Sequence, residues 1–528
     1  LNISLSGTLA ILSVILLTIE GFAQYPNFRI DGPGSNSPEE VTIAINPLNT
    51  SIIAAGANID HFYFSVDAGK EWSEGHLSST LGVWGDPCVL FDSLGNLYYA
   101  HLSNPITGNW IDRIVVQKTT DLGVTWSDGK GIGLNEYPRV QDKEWLAVDL
   151  SQSQFKGNIY VTWTEFDQYA SASPSDSSRI RFSRSTDEGE TWSNPVTISD
   201  VSGDCVDDDN TTEGAVPAVG PNGEIYVSWA GPLGLMFDKS TDGGVTWGKD
   251  IFVSDIPGGW AFDVPGIYRC NGMPITMCDI SNSIYRGNIY ICWGDQRNGT
   301  NDSDVFFSSS TDEGETWTSA KRVNDDSTAR HQFFPWMTID QTTGCIWGVF
   351  YDRRNTTGVY TDVYVIKSTD GGENFENMKV SESSFNPTAT IFFGDYINIT
   401  AWDKNIYPVW MRLNRNVLSV WTSHIKDGKT DVKDERVNFK PDNYLLSQNY
   451  PNPFNPATTI SYQLPEPSYV IISIYNTLGI EIKRIFKGFK PAGVHEIEFD
   501  GSGLSSGIYL YKIDTNNFHQ VKKMALIK

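Results

Sequence analysis

Carboxylates and guanidinium groups a few residues apart are the raw material for acid–base chemistry and for gripping charged or hydroxylated ligands. This chain offers several such sets. Glu213, Asp295 and Asp352 are the candidates for general acid or base, and Arg269, Arg297, Arg353 and Arg354 are the groups able to hold a substrate carboxylate through paired hydrogen bonds. Tyr351, beside Asp352, is a candidate nucleophile if Glu213 reaches it. His331, in Arg330-His-Gln-Phe-Phe-Pro335, reads as a ligand contact or equally as a packed loop histidine. Asp295-Gln-Arg297 and Asp352-Arg-Arg354 recur at the same place in two units, so a repeated structural ion pair explains them as well as chemistry does. Gly203-Asp-Cys-Val-Asp207-Asp208-Asp209-Asn210 is the densest carboxylate run. Oxygen donors on a loop suit Ca²⁺, which makes Asp207, Asp208 and Asp209 candidate calcium ligands; the run lacks EF-hand spacing, and solvation alone is the other reading.

The elements that must position these groups are set by a repeat. One motif occurs six times, as Ser65-Val-Asp67-Ala-Gly69-Lys-Glu-Trp72, Thr119-Thr-Asp121-Leu-Gly123-Val-Thr-Trp126, Ser185-Thr-Asp187-Glu-Gly189-Glu-Thr-Trp192, Ser240-Thr-Asp242-Gly-Gly244-Val-Thr-Trp247, Ser310-Thr-Asp312-Glu-Gly314-Glu-Thr-Trp317 and Ser368-Thr-Asp370-Gly-Gly372-Glu-Asn-Phe375. Its residue types describe a hairpin turn: Asp accepts from nearby backbone N–H groups, Gly supplies positive φ, and the aromatic ring covers the turn. Six near-identical Asp residues are therefore architecture, since an active site needs a few unlike groups. Each motif closes a unit of an apolar strand, a turn, a strand rich in Tyr and Trp, a loop and a third strand; a seventh unit, around residues 396–421, lacks the motif. Small sheets of this kind bury both faces by stacking radially, which predicts an all-β propeller of seven blades, with six as the alternative. Phe28-Arg29-Ile30 is the expected outer strand of the last blade, closing the ring.

The motif is similar to the Asp box, or bacterial neuraminidase repeat, of the sialidase superfamily, over residues from about 28 to 425. That resemblance implies a sialidase-like β-propeller whose ligand face carries the residues preceding each inner strand and those of each second-to-third loop. Before inner strands stand Glu39, Glu40, Asp86, Asp142, Lys143, Glu144, Glu213, Arg269, His331 and Asp395. Sialidases use three Arg on the substrate carboxylate, a Tyr activated by Glu, and an Asp as acid/base. Where they carry Arg-Ile-Pro, this chain reads Ser37-Pro-Glu39-Glu40. The resemblance implies a glycan-directed glycoside hydrolase acting on carbohydrate or glycoprotein; a non-enzymatic surface propeller binding glycan or protein is the alternative. A complete Arg triad at the channel favours the first, and a mouth dominated by carboxylates favours the second or another sugar.

After a charged stretch at 426–442, residues 443–528 alternate as the strands of a small Ig-like β-sandwich. Leu446-Ser-Gln-Asn-Tyr-Pro-Asn-Pro-Phe-Asn-Pro456 and the ending Lys522-Lys-Met-Ala-Leu-Ile-Lys528 resemble the type A C-terminal sorting domain of type IX secretion, which implies that machinery as a partner, export across an outer membrane, and a secreted or cell-surface protein. An apolar run at 9–19 followed by Gly21-Phe-Ala23 reads as a signal peptide over 1–23, leaving 24–425 as the propeller and no membrane span in the mature form. The net charge is −25; residues 443–528 hold 8 Lys and Arg against 6 Asp and Glu, so the acidity lies in the large N-terminal part and disfavours nucleic acid as a partner. Six scattered Cys lack zinc spacing; Cys205 with Cys270, or Cys278 with Cys292, are the possible disulfides.

Overall fold

In the computed structural model the described residues are 25–32, 35, 38–428, 444–449, 451–466, 468–490, 493–515 and 517–528; the proposed signal peptide and most of the linker lie outside them. The chain divides into two compact units, Leu1–Asp427 and Gly428–Lys528. Among the described residues there is no helix, and none long and apolar enough to cross a membrane.

The first unit is a propeller of seven antiparallel sheets among the described residues. The inner strands, blade one to blade seven, are Thr42–Ile45, Cys88–Phe91, Val140–Val148, Glu213–Val219, Ile275–Cys278, Gln332–Asp340 and Asn398–Trp402. Each packs against the next, and the last against the first, so the ring is closed. Asn27–Arg29 pairs with Val417–Ser423 as the outer strand of blade seven, with Phe28 opposite Thr422. Second strands such as Ile159–Phe166 and Ile225–Gly231 are buried at every position, because both faces are covered by neighbouring blades. Trp163, Trp229, Trp293, Trp347 and Trp410 sit fully buried in five of them.

The six repeated motifs form one turn. In blade one Asp67 Oδ1 accepts from the Lys70 and Glu71 backbone N–H groups at 3.0 Å each, Gly69 N donates to Ser65 Oγ at 2.9 Å, and the Trp72 indole donates to Gly69 O at 3.1 Å. Two consecutive left-handed residues build it, for example Glu313 (φ 59°) and Gly314 (φ 85°). The glycine also lets the turn approach the blade before it: a Cβ on Gly314 would lie 2.3 Å from the Phe237 ring, on Gly244 2.4 Å from Phe182, and on Gly372 2.4 Å from Phe307. Gly123 meets Phe64, Gly189 meets Tyr98, and Gly69 meets Tyr407 of blade seven in the same way. The motif therefore fastens neighbouring blades as well as turning the chain.

The second unit is a sandwich. One sheet contains Leu445–Leu446, Ala457–Leu464 and Gly493–Asp500, and the other Glu481–Lys490, Ser468–Tyr475, Gly507–Asp514 and His519–Leu526. Buried and half-buried positions alternate along Ala457–Leu464, as a sheet with one covered face requires, and Ile460, Tyr462, Ile472, Ile474, Tyr511 and Ile513 form its core.

All six cysteines are buried free thiols. The register of blade five sets Cys292 opposite Ile275 and Cys278 opposite Ile289, so Cys278 and Cys292 do not face each other.

Candidate functional site

The chain kinks as it enters most inner strands. Glu40, Asp86, Lys143 and Phe334 adopt φ between 49° and 53°, and Gly214 and Gly394 take the left-handed region at the matching places. Strained non-glycine residues recurring at one level of a propeller turn side chains toward the channel mouth. The result is a ring of unlike groups around one opening.

Asp395 anchors it. Its carboxylate accepts from Lys143 Nζ at 2.6 Å and from Arg269 Nε at 2.8 Å, with a further bond from Arg269 Nη2. Lys143 also lies 3.7 Å from Glu40 and 3.8 Å from Asp86. Burial pushes the Asp395 carboxyl up, and the Lys143 and Arg269 cations overcome it and hold the group well below the ordinary carboxylate range. Asp86 ends below its usual value by the same competition, burial against Lys143. Glu40, Asp142 and Glu144 go the other way: burial first, then the negative charge of Asp86, raises all three well above the ordinary range. Glu213 is fully buried and raised for the same first reason, with Asp207 as the next. No hydrogen-bond donor among the described residues meets its oxygens. Asn58 donates to Glu40 Oε2 and accepts from the Asp86 N–H at 2.8 Å, fixing those two relative to each other.

Above this floor lies a cleft of about 220 Å³, lined by Trp84, Trp110, Tyr169 and Phe392 with Glu40, Asp86, Asp142, Lys143 and Arg269. Trp84 and Trp110 are exposed and meet edge to face at 6.0 Å. Arg269 stacks 5.0 Å above Phe392 and lies 3.6 Å from Asp207, whose carboxylate also accepts from the Tyr169 hydroxyl. Deeper in the channel Trp145, Trp336 and Tyr396 crowd together, Trp145 to Trp336 at 4.3 Å, leaving about 50 Å³ between them and the mouth.

The structure thus brings Arg269 to the cleft with Asp207 beside it, buries Glu213, and takes the other expected groups elsewhere. Tyr351 is fully buried among Phe333, Phe385 and Phe393, with its hydroxyl donating to Met411 O at 2.8 Å and accepting from Met411 N at 3.0 Å; it is core and has no path to Glu213's neighbours at the cleft. Asp352 pairs with Arg354 at 2.7 Å, and Asp295 pairs with Arg297 and accepts from the Trp293 indole at 2.9 Å. These are the repeated structural ion pairs, their guanidiniums capped by Tyr364 and Phe306. Arg353 is buried, donating to Thr361 Oγ1 and Pro265 O, and His331 meets Ser303 Oγ at 3.0 Å. Asp207, Asp208 and Asp209 face different partners: Asp207 meets Arg269 and Tyr169, Asp209 accepts from the Ala261 N–H and Asp208 from the Asp209 N–H. What the sequence reading passed over is the aromatic wall. Its signal is an aromatic residue just upstream of the charged one, as in Trp84-Gly-Asp86, Tyr268-Arg269 and Phe392-Phe-Gly-Asp395.

Residues 448–528 match the secretion system C-terminal sorting domain family, and this tail directs export by type IX secretion. No curated protein matches the chain in sequence. Solved structures with a similar backbone include YCF48 bound to a D1 peptide (12% identity, 77% of this chain and 96% of that one, TM-score 0.40). An α-L-arabinofuranosidase from Fusarium graminearum is 14% identical over 64% of this chain and 92% of its own, with a TM-score of 0.41. The NanB sialidase from Streptococcus pneumoniae is 10% identical over 71% and 83%, with a TM-score of 0.42.

Proposed function

We propose that this secreted propeller binds a neutral sugar in the aromatic-walled cleft and hydrolyses its glycosidic bond with the carboxyls of the mouth. The observation that carries this reading is the cleft itself: Trp84, Trp110, Tyr169 and Phe392 stand over carboxyls whose environments drive them apart, Asp142 and Glu40 upward and Asp86 downward. Aromatic faces cover the apolar faces of a sugar ring, and a protonated acid beside an ionised one supplies the two roles of glycoside hydrolysis. Asp142, raised by burial and by Asp86, is the donor to the leaving oxygen, and Asp86, held low by Lys143, is the carboxylate facing the developing positive charge. Sialic acid is a poor fit. At the cleft Arg269 is the guanidinium in reach, and its paired donors are taken by Asp395.

The test is the full chain against a panel of aryl glycosides. Turnover of a neutral glycoside is expected, with Asp142→Asn lowering kcat about 10²-fold or more at unchanged melting temperature and Trp84→Ala raising KM. Turnover of sialosides alone refutes the substrate class. A second reading rests on the Lys143–Asp395–Arg269 network, which already neutralises much of the mouth: the cleft then binds glycan without cleaving it, and glycan binding lost in Trp84→Ala with no turnover on any sugar selects that reading.

A further inference from the structure

Blade one carries a second cluster that the mouth does not use. Asp60, His61 and His76 place one ligand atom each within 4.8 Å of one another, and among the described residues they are the group that converges in this way. His61 opens the third strand of the blade and His76 closes the fourth, directly opposite each other in the register. Their rings sit 4.6 Å apart, tilted by 58°. Asp60 Oδ1 lies 2.9 Å from His76 Nδ1.

The groups behind His61 are held in place as well. His61 is buried, and its Nδ1 meets Glu74 Oε1 at 2.9 Å. Glu74 is itself held, accepting from Gly32 N at 2.7 Å and from Ser35 Oγ. A carboxylate on one imidazole nitrogen fixes the ring and its tautomer and leaves Nε2, with its lone pair, as the ligand atom. We propose that Asp60, His61 and His76 form a site for a borderline divalent cation of the zinc class, bound by two imidazoles and one carboxylate with the remaining position open to solvent. Two nitrogens and an oxygen suit Zn²⁺ rather than Ca²⁺ or Mg²⁺, which take all-oxygen shells. An ion between Asp60 and His76 replaces the proton those groups share. His76 is exposed and ends an edge strand, so a change of its rotamer closes the 4.8 Å span toward the roughly 3.3 Å between neighbouring ligands around tetrahedral zinc.

The site's place gives it a consequence. Asp60 belongs to the same short loop as Asn58, which positions Glu40 and Asp86 in the mouth, and His61 follows it directly. Glu74, behind His61, holds Gly32 and Ser35 just after the strand that closes the ring. An ion here therefore stiffens both the mouth loop and the ring closure. This inference stands apart from any sugar chemistry.

The experiment is zinc titration of the chelator-stripped full chain by calorimetry, with Co²⁺ absorption as a second probe. One zinc per chain is expected, with Kd of about 10 μM or tighter, and zinc raises the melting temperature. His76→Ala, an exposed change that leaves the stripped protein's melting temperature as it was, weakens binding at least tenfold and abolishes the Co²⁺ band; Asp60→Asn weakens it less. The proposal is overturned if the native chain binds no zinc at about 100 μM, or if His76→Ala binds as tightly as the native chain.

Discussion

Replacing Asp395 with Asn removes one charge from the mouth while keeping its shape. The Lys143 ammonium, 2.6 Å away and nearly buried, loses its main partner and is left with Glu40 and Asp86 at 3.7 and 3.8 Å. Breaking a buried pair by removing one partner costs about 3–5 kcal/mol. The Arg269 half is largely solvent-screened, its side chain 45% exposed, so the lower end applies. At an unfolding entropy of about 2.1 cal/mol/K per residue, the roughly 400-residue propeller loses about 1 °C per kcal/mol, so the transition falls by about 3–4 °C. The sign of the pH dependence is fixed too. Asp395 is depressed in the fold, so its contribution is present above the unfolded carboxylate value, near pH 4, and is lost as pH falls below it. Scanning calorimetry of Asp395→Asn, Lys143→Met and the double variant at pH 7 provides the check, with the double variant less destabilised than the sum of the singles. A single-variant shift within about 1 °C, or strict additivity, refutes the charge argument.

Gly314→Ala places a Cβ 2.3 Å from the Phe237 ring at φ 85°, and is expected to cost about 3 kcal/mol, read as a transition lowered by about 3 °C; the same change at Gly157, where a Cβ meets nothing within 4 Å, costs less. Burial raises Asp238 to about 7, opposed by bonds from the Lys239 and Gly248 N–H groups, so its contribution is full below pH 4 and is lost as pH rises to 7. Asp238→Asn, which mimics the protonated group, therefore melts with the native chain at pH 4 and roughly 4 °C above it at pH 8; equal transitions at both pH values would falsify this. Calcium at millimolar levels is expected to leave the melting temperature unchanged, because Asp207 already serves Arg269 and Tyr169; a shift lost in Asp207→Ala would restore the calcium reading.

The ring, its closing strand and the Asp turns were legible because a repeat repeats its physics: six copies of one turn demand six equivalent sites, and only radial stacking supplies them. The positions facing the mouth were legible for the same reason, as the residues before each inner strand. The choice among them was not. Tyr351 and Arg353 are candidates by residue type and by their place beside Asp352, yet each fills a particular gap in the packing. What selects the mouth residues is the left-handed kink, and Glu40, Asp86 and Lys143 adopt it without being glycine, so residue type gives no warning. The aromatic wall was hidden likewise, since Trp84 precedes the inner strand of blade two and Trp110 stands in its second-to-third loop, and only the folded blade sets them side by side.

Six of the seven seams carry the same glycine-on-aromatic fastening, and blade seven, lacking the motif, places no such turn on blade six. That seam is joined differently: Lys367 pairs with Asp427 at 2.5 Å, and Asp340 accepts from the Asp403 and Lys404 N–H groups. Ion pairs cross other seams too, Lys118 to Glu188 and Lys239 to Glu315, but there they stand beside the glycine fastening, whereas at the six–seven seam the pair supplements buried apolar packing without it. Added salt tightens apolar contacts and screens ion pairs, so the seam without a glycine fastening is the one that gains least from concentrated salt: amide hydrogens at residues 398–426 should exchange ahead of their counterparts in the other blades there, and the loop bearing Asp395 would be the first part of the mouth to loosen.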